Sequence, residues 1–206
     1  MKIEFVKNSG KKLILLFLGY SFLPSCIKHL ELTGYDLCVV YDYSSLEFDR
    51  QILEGKEIYL VAWSMGVWAA NLALAGVKLK QAIAINGTPF GIDDERGIPK
   101  IAFKKSIDEF NFDEFKKICF LKELAKVDFD FNQNAKFELE SLYLNSSKPV
   151  QNNVKWDKFI ISKKDFVFPP KAVQKVAGEL GSKCEIINAP HFAFFGYKSF
   201  GEIVEI

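Results

Sequence analysis

The chain has 206 residues, of which 49% are hydrophobic and 26% charged, so it is long enough for one globular domain with a sizeable core or for a small core domain that carries an insertion. A formal net charge of +1 excludes the strongly basic field with which proteins collect nucleic-acid phosphates. The four cysteines are far apart and form no C-x-x-C pair, which argues against a metal centre and indicates free thiols in an intracellular protein.

Predicted strands alternate with predicted helices along the chain. The strands are short runs rich in apolar and β-branched side chains, over residues 2–6, 12–18, 36–41, 58–62, 81–86, 156–162 and 183–188. Helices are expected over residues 24–32, 67–75, 171–180 and 198–206, with a short polar helix that ends near residue 55. The turn Asn8-Ser9-Gly10 predicts that the first two strands form a hairpin. The alternation predicts an α/β fold, a mostly parallel sheet with helices on both faces.

A segment near the amino terminus weakly resembles a secretion signal. Lys11 and Lys12 precede an apolar run that is followed by Cys26, but the unbroken run over residues 13–18 is too short for a signal core. No stretch approaches the ~20 apolar residues of a membrane span. A cytoplasmic protein is therefore expected, and two other cysteines, Cys38 and Cys184, are expected to be small core residues of strands.

A strand turns into a helix almost without a loop in the middle of residues 56–76, where the chain reads A-W-S-M-G from Ala62 to Gly66. So abrupt a turn strains its central residue and pushes that side chain outward, and with Ser64 at its centre it is the nucleophile elbow of α/β-hydrolases. The usual pattern is G-x-S-x-G, and Ala62 replaces the first glycine with the smallest possible side chain. The same stretch also fits Ser64 as an ordinary helix N-cap.

A long insertion separates strand 81–86 from strand 156–162. About 70 residues lie between them, far more than the ~12 that a crossover requires. We predict a helical lid over residues 95–155, with two or three amphipathic helices between residues 98 and 144. The lid carries many phenylalanines, namely Phe103, Phe110, Phe112, Phe115, Phe120, Phe129, Phe131 and Phe137. Most of them fit an accessory core, and the others could give an acyl chain an apolar slot, with Phe103, Phe110, Phe115 and Tyr20 as the candidates.

Only two histidines could activate the serine hydroxyl, which is a poor nucleophile until a base removes its proton. His29 lies in an early predicted helix and is expected to face solvent, whereas His191 follows the last predicted strand. Asp165 follows the preceding strand and could hold that imidazole in the required tautomer. The order Ser64, Asp165, His191 is the order that α/β-hydrolases use, and each residue follows a strand, where the active sites of such sheets lie.

Other carboxylates compete with Asp165, namely Asp42, Asp93 and Asp94. The first follows a strand but precedes the serine in the chain, and the other two lie in a glycine-flanked loop, so chain order favours Asp165. The oxyanion is expected to be held by the N–H of Met65 and by one N–H from the loop after the second strand, with Tyr20 as the expected residue. Tyr20 also fits an aromatic at the rim of the pocket.

Several segments carry a resemblance to a known family. They are G-Y at 19–20, W-S-M-G at 63–66, N-G-T-P at 86–89, D-x-x-x-P at 165–169 and P-H-F at 190–192. With them the chain resembles α/β-hydrolases over nearly its whole length, and most of all the BioG-type pimeloyl-[acyl-carrier-protein] methyl ester esterases. The resemblance implies hydrolysis of the methyl ester of a carrier-bound pimeloyl chain in biotin synthesis, without a metal or organic cofactor. It also implies that Ser64 is the nucleophile, His191 the base and Asp165 the acid, with Tyr20 and Met65 holding the oxyanion.

One charge pattern suits the acidic acyl carrier protein that this resemblance implies as a partner. Residues 96–122 contain seven basic and four acidic residues, so the rim of the lid carries a positive excess that would steer such a carrier. The candidates for docking are Arg96, Lys100, Lys104 and Lys105. The solvated polar face of amphipathic helices explains the same pattern.

Two other functions remain open from the sequence. A general carboxylesterase or thioesterase would use the same three residues, because specificity would lie in the shape of the lid. A hydrolase-like fold that only binds a ligand or partner is the other alternative, and a fluorophosphonate probe that fails to label Ser64 would favour it.

Overall fold

Short apolar runs build a seven-stranded sheet in the computed structural model, which describes residues 1–146 and 150–205. The strands are β1 Lys2–Lys7, β2 Lys12–Phe17, β3 Asp36–Tyr41, β4 Glu57–Trp63, β5 Gln81–Ile85, β6 Lys158–Lys164 and β7 Lys183–Pro190. The helices are α1 Met65–Ala73, α2 Lys100–Asp108, α3 Phe112–Phe120, α4 Ala135–Asn145, α5 Pro170–Glu179 and α6 Gly201–Val204. Short 3-10 helices lie at Pro24–Ile27, Arg50–Leu53, Leu121–Lys126 and Phe194–Gly196.

The strand order is β1-β3-β2-β4-β5-β6-β7, and every neighbouring pair runs parallel except β1 with β3. The predicted α/β fold with a mostly parallel sheet is confirmed. The predicted hairpin is wrong, because β2 lies in the interior of the sheet between β3 and β4, and β1 pairs with β3 instead. The burial of the two strands explains this arrangement: β2 is apolar on both faces and buried, as an interior strand must be, whereas β1 keeps exposed polar side chains that suit an edge.

Both faces of the sheet are covered. Alternate residues of β2 point to opposite faces of the sheet. Leu15 and Phe17 belong to the core cluster that contains residues of α1 and α5, and Leu16 belongs to the cluster that contains residues of α6 and of Pro24–Ile27. The helices predicted over residues 24–32 and 198–206 are shorter than expected, and residue 206 lies outside the described residues. Each is a four-residue helical segment whose apolar side chains pack against the sheet.

The four cysteines are free thiols, and they differ in burial. Cys26, Cys38 and Cys119 are buried, and for Cys38 this confirms the expectation of a small core residue. The same expectation for Cys184 is wrong, because β7 is an edge strand and the side chain at this position is exposed to solvent. Among the described residues, no helix combines the length and the apolar character that a membrane crossing demands.

The insertion leaves the sheet after β5 and returns at β6. It contains α2, α3 and α4, in agreement with the expected number of helices, and positions 147–149 of the predicted lid lie outside the described residues. Phe103 of α2 and Leu139 of α4 belong to the same core cluster as α1, whereas Phe120 of α3 packs with residues of the opposite face. The helices of the insertion thus sit at the carboxyl edge of the sheet, where β4, β6 and β7 end.

Candidate active site

Ser64 lies at the junction between β4 and α1 in a strained backbone conformation, with φ 56° and ψ −129°. The strain is held by close packing, because a Cβ added to Gly66 would meet the carbonyl oxygen of Leu18 and lie 2.5 Å from that of Phe17. The replacement of glycine by Ala62 is tolerated in this turn, since its methyl group is fully buried in β4 and its parallel neighbours in register are Phe17 and the small Ala84. The geometry is that of an elbow that presents the serine above the sheet.

The three predicted triad side chains meet at the carboxyl edge of the sheet. The Nε2 atom of His191 lies 2.9 Å from Ser64 Oγ, and its Nδ1 atom lies 2.7 Å from Asp165 Oδ2. The second oxygen of Asp165 accepts the backbone N–H groups of Val167 and Phe168, each at 2.8 Å. All three triad residues are buried, with 4%, 6% and 1% of their surface exposed for Ser64, Asp165 and His191. Such a relay can transfer a proton from a serine hydroxyl to an imidazole.

The competing residues are bonded elsewhere. His29 is exposed and its Nε2 atom contacts the carbonyl oxygen of Phe194. Asp42 forms an ion pair with Lys2 at 2.8 Å. Of the remaining two acids, Asp93 pairs with Arg96 of its own loop, and Asp94 accepts the N–H of Lys100, the first residue of α2. The structure therefore brings Asp165, and none of its competitors, to His191.

The two backbone segments that are expected to supply the oxyanion hole lie next to Ser64. Met65 is the first residue of α1, so its N–H has no acceptor within the helix. Gly19 lies against Ser64, since a Cβ on Gly19 would be 3.1 Å from Ser64 Cβ, and Tyr20 is the next residue. The two expected donors, Tyr20 and Met65, are thus next to the serine, and their role in holding an oxyanion stays a prediction.

A cavity of about 370 Å³ opens above the serine, and its walls are mostly apolar. Tyr20, Phe103, Phe110 and Phe115 all line it together with Ser64, Met65 and His191. The ring of Phe115 meets that of Tyr20 edge-on at 5.3 Å, so helix α3 forms part of the roof. The four residues predicted to bind an acyl chain are in place to do so, and their contact with a substrate stays a prediction.

Most of the other phenylalanines of the insertion serve packing, as expected. Phe120, Phe129 and Phe131 form an aromatic cluster with Phe22 and Phe192, with ring centroids between 5.1 and 6.2 Å apart in contacts such as those of Phe22 with Phe131 and with Phe129. Phe192 follows His191 directly, so the cluster also supports the loop that carries the imidazole. Phe137 belongs to neither group and is 59% exposed.

The predicted docking residues lie on or near α2. Lys105 lines the cavity beside Ser106 and Glu109, so α2 contributes charged side chains to its rim. Three of the four candidates have acidic neighbours: Arg96 pairs with Asp93, Lys104 with Asp108, and Lys105 with Glu109 at 3.7 Å. Exposed pairs of this kind contribute little free energy, so they can be exchanged for contacts with an acidic partner.

Glu138 is a residue of the site's surroundings that the sequence did not reveal. This glutamate of α4 is completely buried, and its carboxylate accepts the N–H groups of Ser21 and Tyr43 and the amide of Asn132, at 3.2, 3.1 and 2.8 Å. Ser21 follows Tyr20, so the insertion is tied to the loop expected to hold the oxyanion. In the sequence Glu138 resembles any acid of an amphipathic helix, because its partners are distant along the chain.

We expect the stability of the protein to depend on pH through Glu138. Burial raises the pKa of this carboxyl from 4.5 to about 7, with a smaller contribution from the charge of Asp42 and against the effect of the donated hydrogen bonds. The folded state holds the proton of Glu138 more tightly than the unfolded chain does. The protonated carboxyl therefore contributes fully to the free energy of unfolding below pH 4.5, and this contribution is lost as the pH rises through the pKa of the folded state near 7. Relative to Glu138→Gln, the free energy of unfolding should fall by up to about 3 kcal/mol over this range.

Urea unfolding at a series of pH values measures this dependence. Glu140→Gln on the same helix is the control, because Glu140 is only half-buried and should leave the pH dependence of the wild type in place. A constant difference between wild type and Glu138→Gln at all pH values would contradict the prediction.

Comparison with known proteins gives one family. The family model described as pimeloyl-ACP methyl esterase BioG matches residues 1–201. The crystal structure of BioG from Haemophilus influenzae has a TM-score of 0.93 at 28% identity, with 99% of this chain and 100% of that chain covered. An uncharacterized protein of the same organism is 33% identical over 202 residues, covering 87% of this chain and 93% of its own length.

Two further similarities extend this result. A malonyl-[acyl-carrier protein] O-methyltransferase from Bacteroides fragilis is 37% identical over 188 residues, which is 82% of this chain but only 38% of that enzyme. The chain thus spans well under half of that relative. A putative aryl esterase from Burkholderia cenocepacia has a TM-score of 0.64 at 13% identity, with 94% of this chain and 88% of that chain covered, and it shows the shared α/β-hydrolase fold.

Proposed function

The chain belongs to the pimeloyl-ACP methyl esterase BioG family and is a carboxylic ester hydrolase, and on this premise we propose that it hydrolyses the methyl ester of pimeloyl-[acyl-carrier protein] in biotin biosynthesis. The observation that carries the proposal is the unbroken relay from Asp165 through His191 to Ser64 at the floor of an apolar cavity. Cofactor-free ester hydrolysis needs no more than this relay and two oxyanion donors.

The proposed mechanism proceeds through an acyl-enzyme. His191 Nε2 takes the proton of Ser64 Oγ, which attacks the ester carbonyl carbon, and the N–H groups of Met65 and Tyr20 hold the oxyanion. The protonated imidazole then gives its proton to the departing methoxide, so that methanol leaves and the pimeloyl chain stays on the serine. A water deprotonated by the same imidazole cleaves this ester, and the free carboxylate of the carrier-bound chain is released.

The cavity and its rim account for the proposed substrate. The seven-carbon chain must reach Ser64 with its methyl ester end while the carrier stays outside, and the phenylalanines of the lid over residues 95–155 offer this chain an apolar path. The carrier is then held near the charged rim of α2. We place the enzyme in the cytoplasm, a location supported by its four free thiols.

Mass spectrometry of the carrier tests the proposal. Pimeloyl-carrier methyl ester is mixed with wild type and with Ser64→Ala, and the intact mass of the carrier adduct is followed. We expect the adduct to lose the mass of one methylene with wild type only. Release of the whole acyl chain would instead reveal a thioesterase, and an unchanged adduct with both proteins would reject the proposed reaction.

Charge reversal on α2 is expected to weaken docking of the carrier. Lys104→Glu with Lys105→Glu should raise KM for the carrier-bound substrate several-fold, because the rim would then repel an acidic partner, and should leave KM for a small methyl ester unchanged. The matched control is Lys78→Glu with Lys80→Glu, two exposed lysines ahead of β5 at the opposite edge of the sheet. Steady-state kinetics with both substrates measures the effect, and equal changes for the two substrates would exclude docking at this rim.

A further inference from the structure

The backbone carbonyl of His191 accepts two side-chain hydrogen bonds from inside the protein. Asn86 Nδ2 donates one at 2.8 Å, and Trp63 Nε1 donates the other at 3.0 Å. Trp63 immediately precedes Ser64, and both donors are buried, with Asn86 only 1% exposed. The peptide that carries the imidazole is therefore anchored directly to the elbow and to the end of β5.

Asn86 also connects the strand that leads to the triad acid. Its Oδ1 atom accepts the N–H of Ser162 at 2.8 Å, and its Nδ2 atom contacts Ser162 Oγ at the same distance. Ser162 lies in β6, and its carbonyl oxygen accepts the N–H of Asp165. One amide side chain thus contacts both segments that carry the partners of the serine.

The backbone of Asn86 is held in an unusual conformation to make these contacts. Its φ is +48°, a left-handed value that asparagine tolerates better than most residues. The next residue is Gly87, where a Cβ would meet the carbonyl oxygen of Ser64. Left-handed backbone at a buried site is kept only where the surroundings fix it, and here they are the elbow and the loop of His191.

We propose that Asn86 is a positioning residue for the proposed triad. Asn86 fixes His191 by its hydrogen bond to the backbone carbonyl of His191, and thereby sets the distance from His191 Nε2 to Ser64 Oγ. The inference rests on the proposed function only in taking His191 as the base. Asn86 does not touch the substrate or the reacting atoms. A displacement of about 1 Å of the imidazole is enough to lower the rate about 10²-fold.

A double-mutant cycle distinguishes positioning from a general loss of stability. With p-nitrophenyl acetate as substrate, Asn86→Ala should lower kcat about 10- to 100-fold with KM changed less than about 2-fold. In a His191→Ala background the same substitution should change kcat less than about 2-fold, because the group that it positions is already absent. The His191→Ala variant by itself tests the proposed base, so failure of the proposed function is seen separately.

Asn71→Ala is the matched control. Asn71 is also a completely buried asparagine with both ends of its amide bonded, to Gln151 O and to the N–H of Asn153, but it lies on α1 away from His191. We expect it to lower thermal stability to a similar degree while leaving kcat within about 2-fold of wild type. Asn86→Asp serves as a second variant, since it keeps the acceptor for the Ser162 N–H but turns an oxygen toward the carbonyl of His191.

The outcomes are decisive in either direction. A loss of kcat with Asn86→Ala or Asn86→Asp that disappears in the His191→Ala background supports the proposal. An equal loss in both backgrounds, a loss matched by Asn71→Ala, or no loss in a folded variant overturns it. Failure of both Asn86 variants to fold, with Asn71→Ala folded, would also overturn it, because Asn86 would then act on the fold and not on the base.

Discussion

Replacement of Asp165 by asparagine is expected to lower kcat about 10⁴-fold while the protein stays folded. The reason is that the two oxygen atoms of the Asp165 carboxylate have different partners. Its Oδ1 atom accepts the N–H groups of Val167 and Phe168, so the amide oxygen of an asparagine must take that place. The amide nitrogen then faces His191 Nδ1 and makes it an acceptor, which leaves the proton on Nε2 and removes the base that Ser64 needs.

Hydrolysis of p-nitrophenyl acetate, with thermal unfolding as the check on folding, measures this effect. Asp42→Asn is the matched control, because Asp42 also follows a strand but pairs with Lys2 and Ser44. It should change kcat less than about 3-fold. A large loss with Asp42→Asn together with an active Asp165→Asn variant would show that the acid of the relay is misassigned.

Substitution of Gly66 in α1 by alanine is expected to destabilise the protein strongly. Its Cβ would lie 2.5 Å from the carbonyl oxygen of Phe17 and meet that of Leu18, and both belong to backbone that cannot move without shifting β2. We expect a loss of about 3 kcal/mol or more in the free energy of unfolding, together with loss of the strained conformation of Ser64.

Gly178→Ala is the natural control for this substitution. Gly178 lies in helix α5 with no atom near the position of a Cβ, so alanine there should stabilise the protein by about 0.5–1 kcal/mol through its higher helix propensity. Urea unfolding curves of the two variants should therefore shift in opposite directions. A Gly66→Ala variant as stable as wild type would mean that the elbow does not depend on the close approach of α1 to β2.

The fold was largely predictable because its signals are local. Alternation of apolar strands with helices indicates a parallel sheet wherever it occurs, and Ser64, Asp165 and His191 each follow a strand in a known order. Which strands are neighbours is a non-local property, and this explains why the predicted hairpin is wrong. The chain does bend at residues 9–11, yet β1 pairs with β3 and not with β2. The exposure of Cys184 was missed for the same reason, since an edge strand is defined by topology.

The surroundings of the proposed triad were less predictable than the meeting of its three side chains. Asn86 and Glu138 act through backbone groups of residues such as His191 and Ser21, which are remote in the sequence and can be supplied by any residue type. A contact between a side chain and a backbone group leaves no pair of side chains whose chemistry can be recognised. The N-G-T-P segment served only as a mark of family resemblance and gave Asn86 no role, and nothing in the sequence of α4 marked Glu138.

The insertion between β5 and β6 has a consequence for how such enzymes can diverge. The three proposed catalytic side chains directly follow β4, β6 and β7, whereas much of the cavity wall that we propose for the acyl chain belongs to α2 and α3. A descendant could therefore acquire a new chain-length preference by drift within these two helices without disturbing its chemistry. Helix α4 could not change in the same way. Without the carboxylate of Glu138, the N–H groups of Ser21 and Tyr43 would lose their shared acceptor.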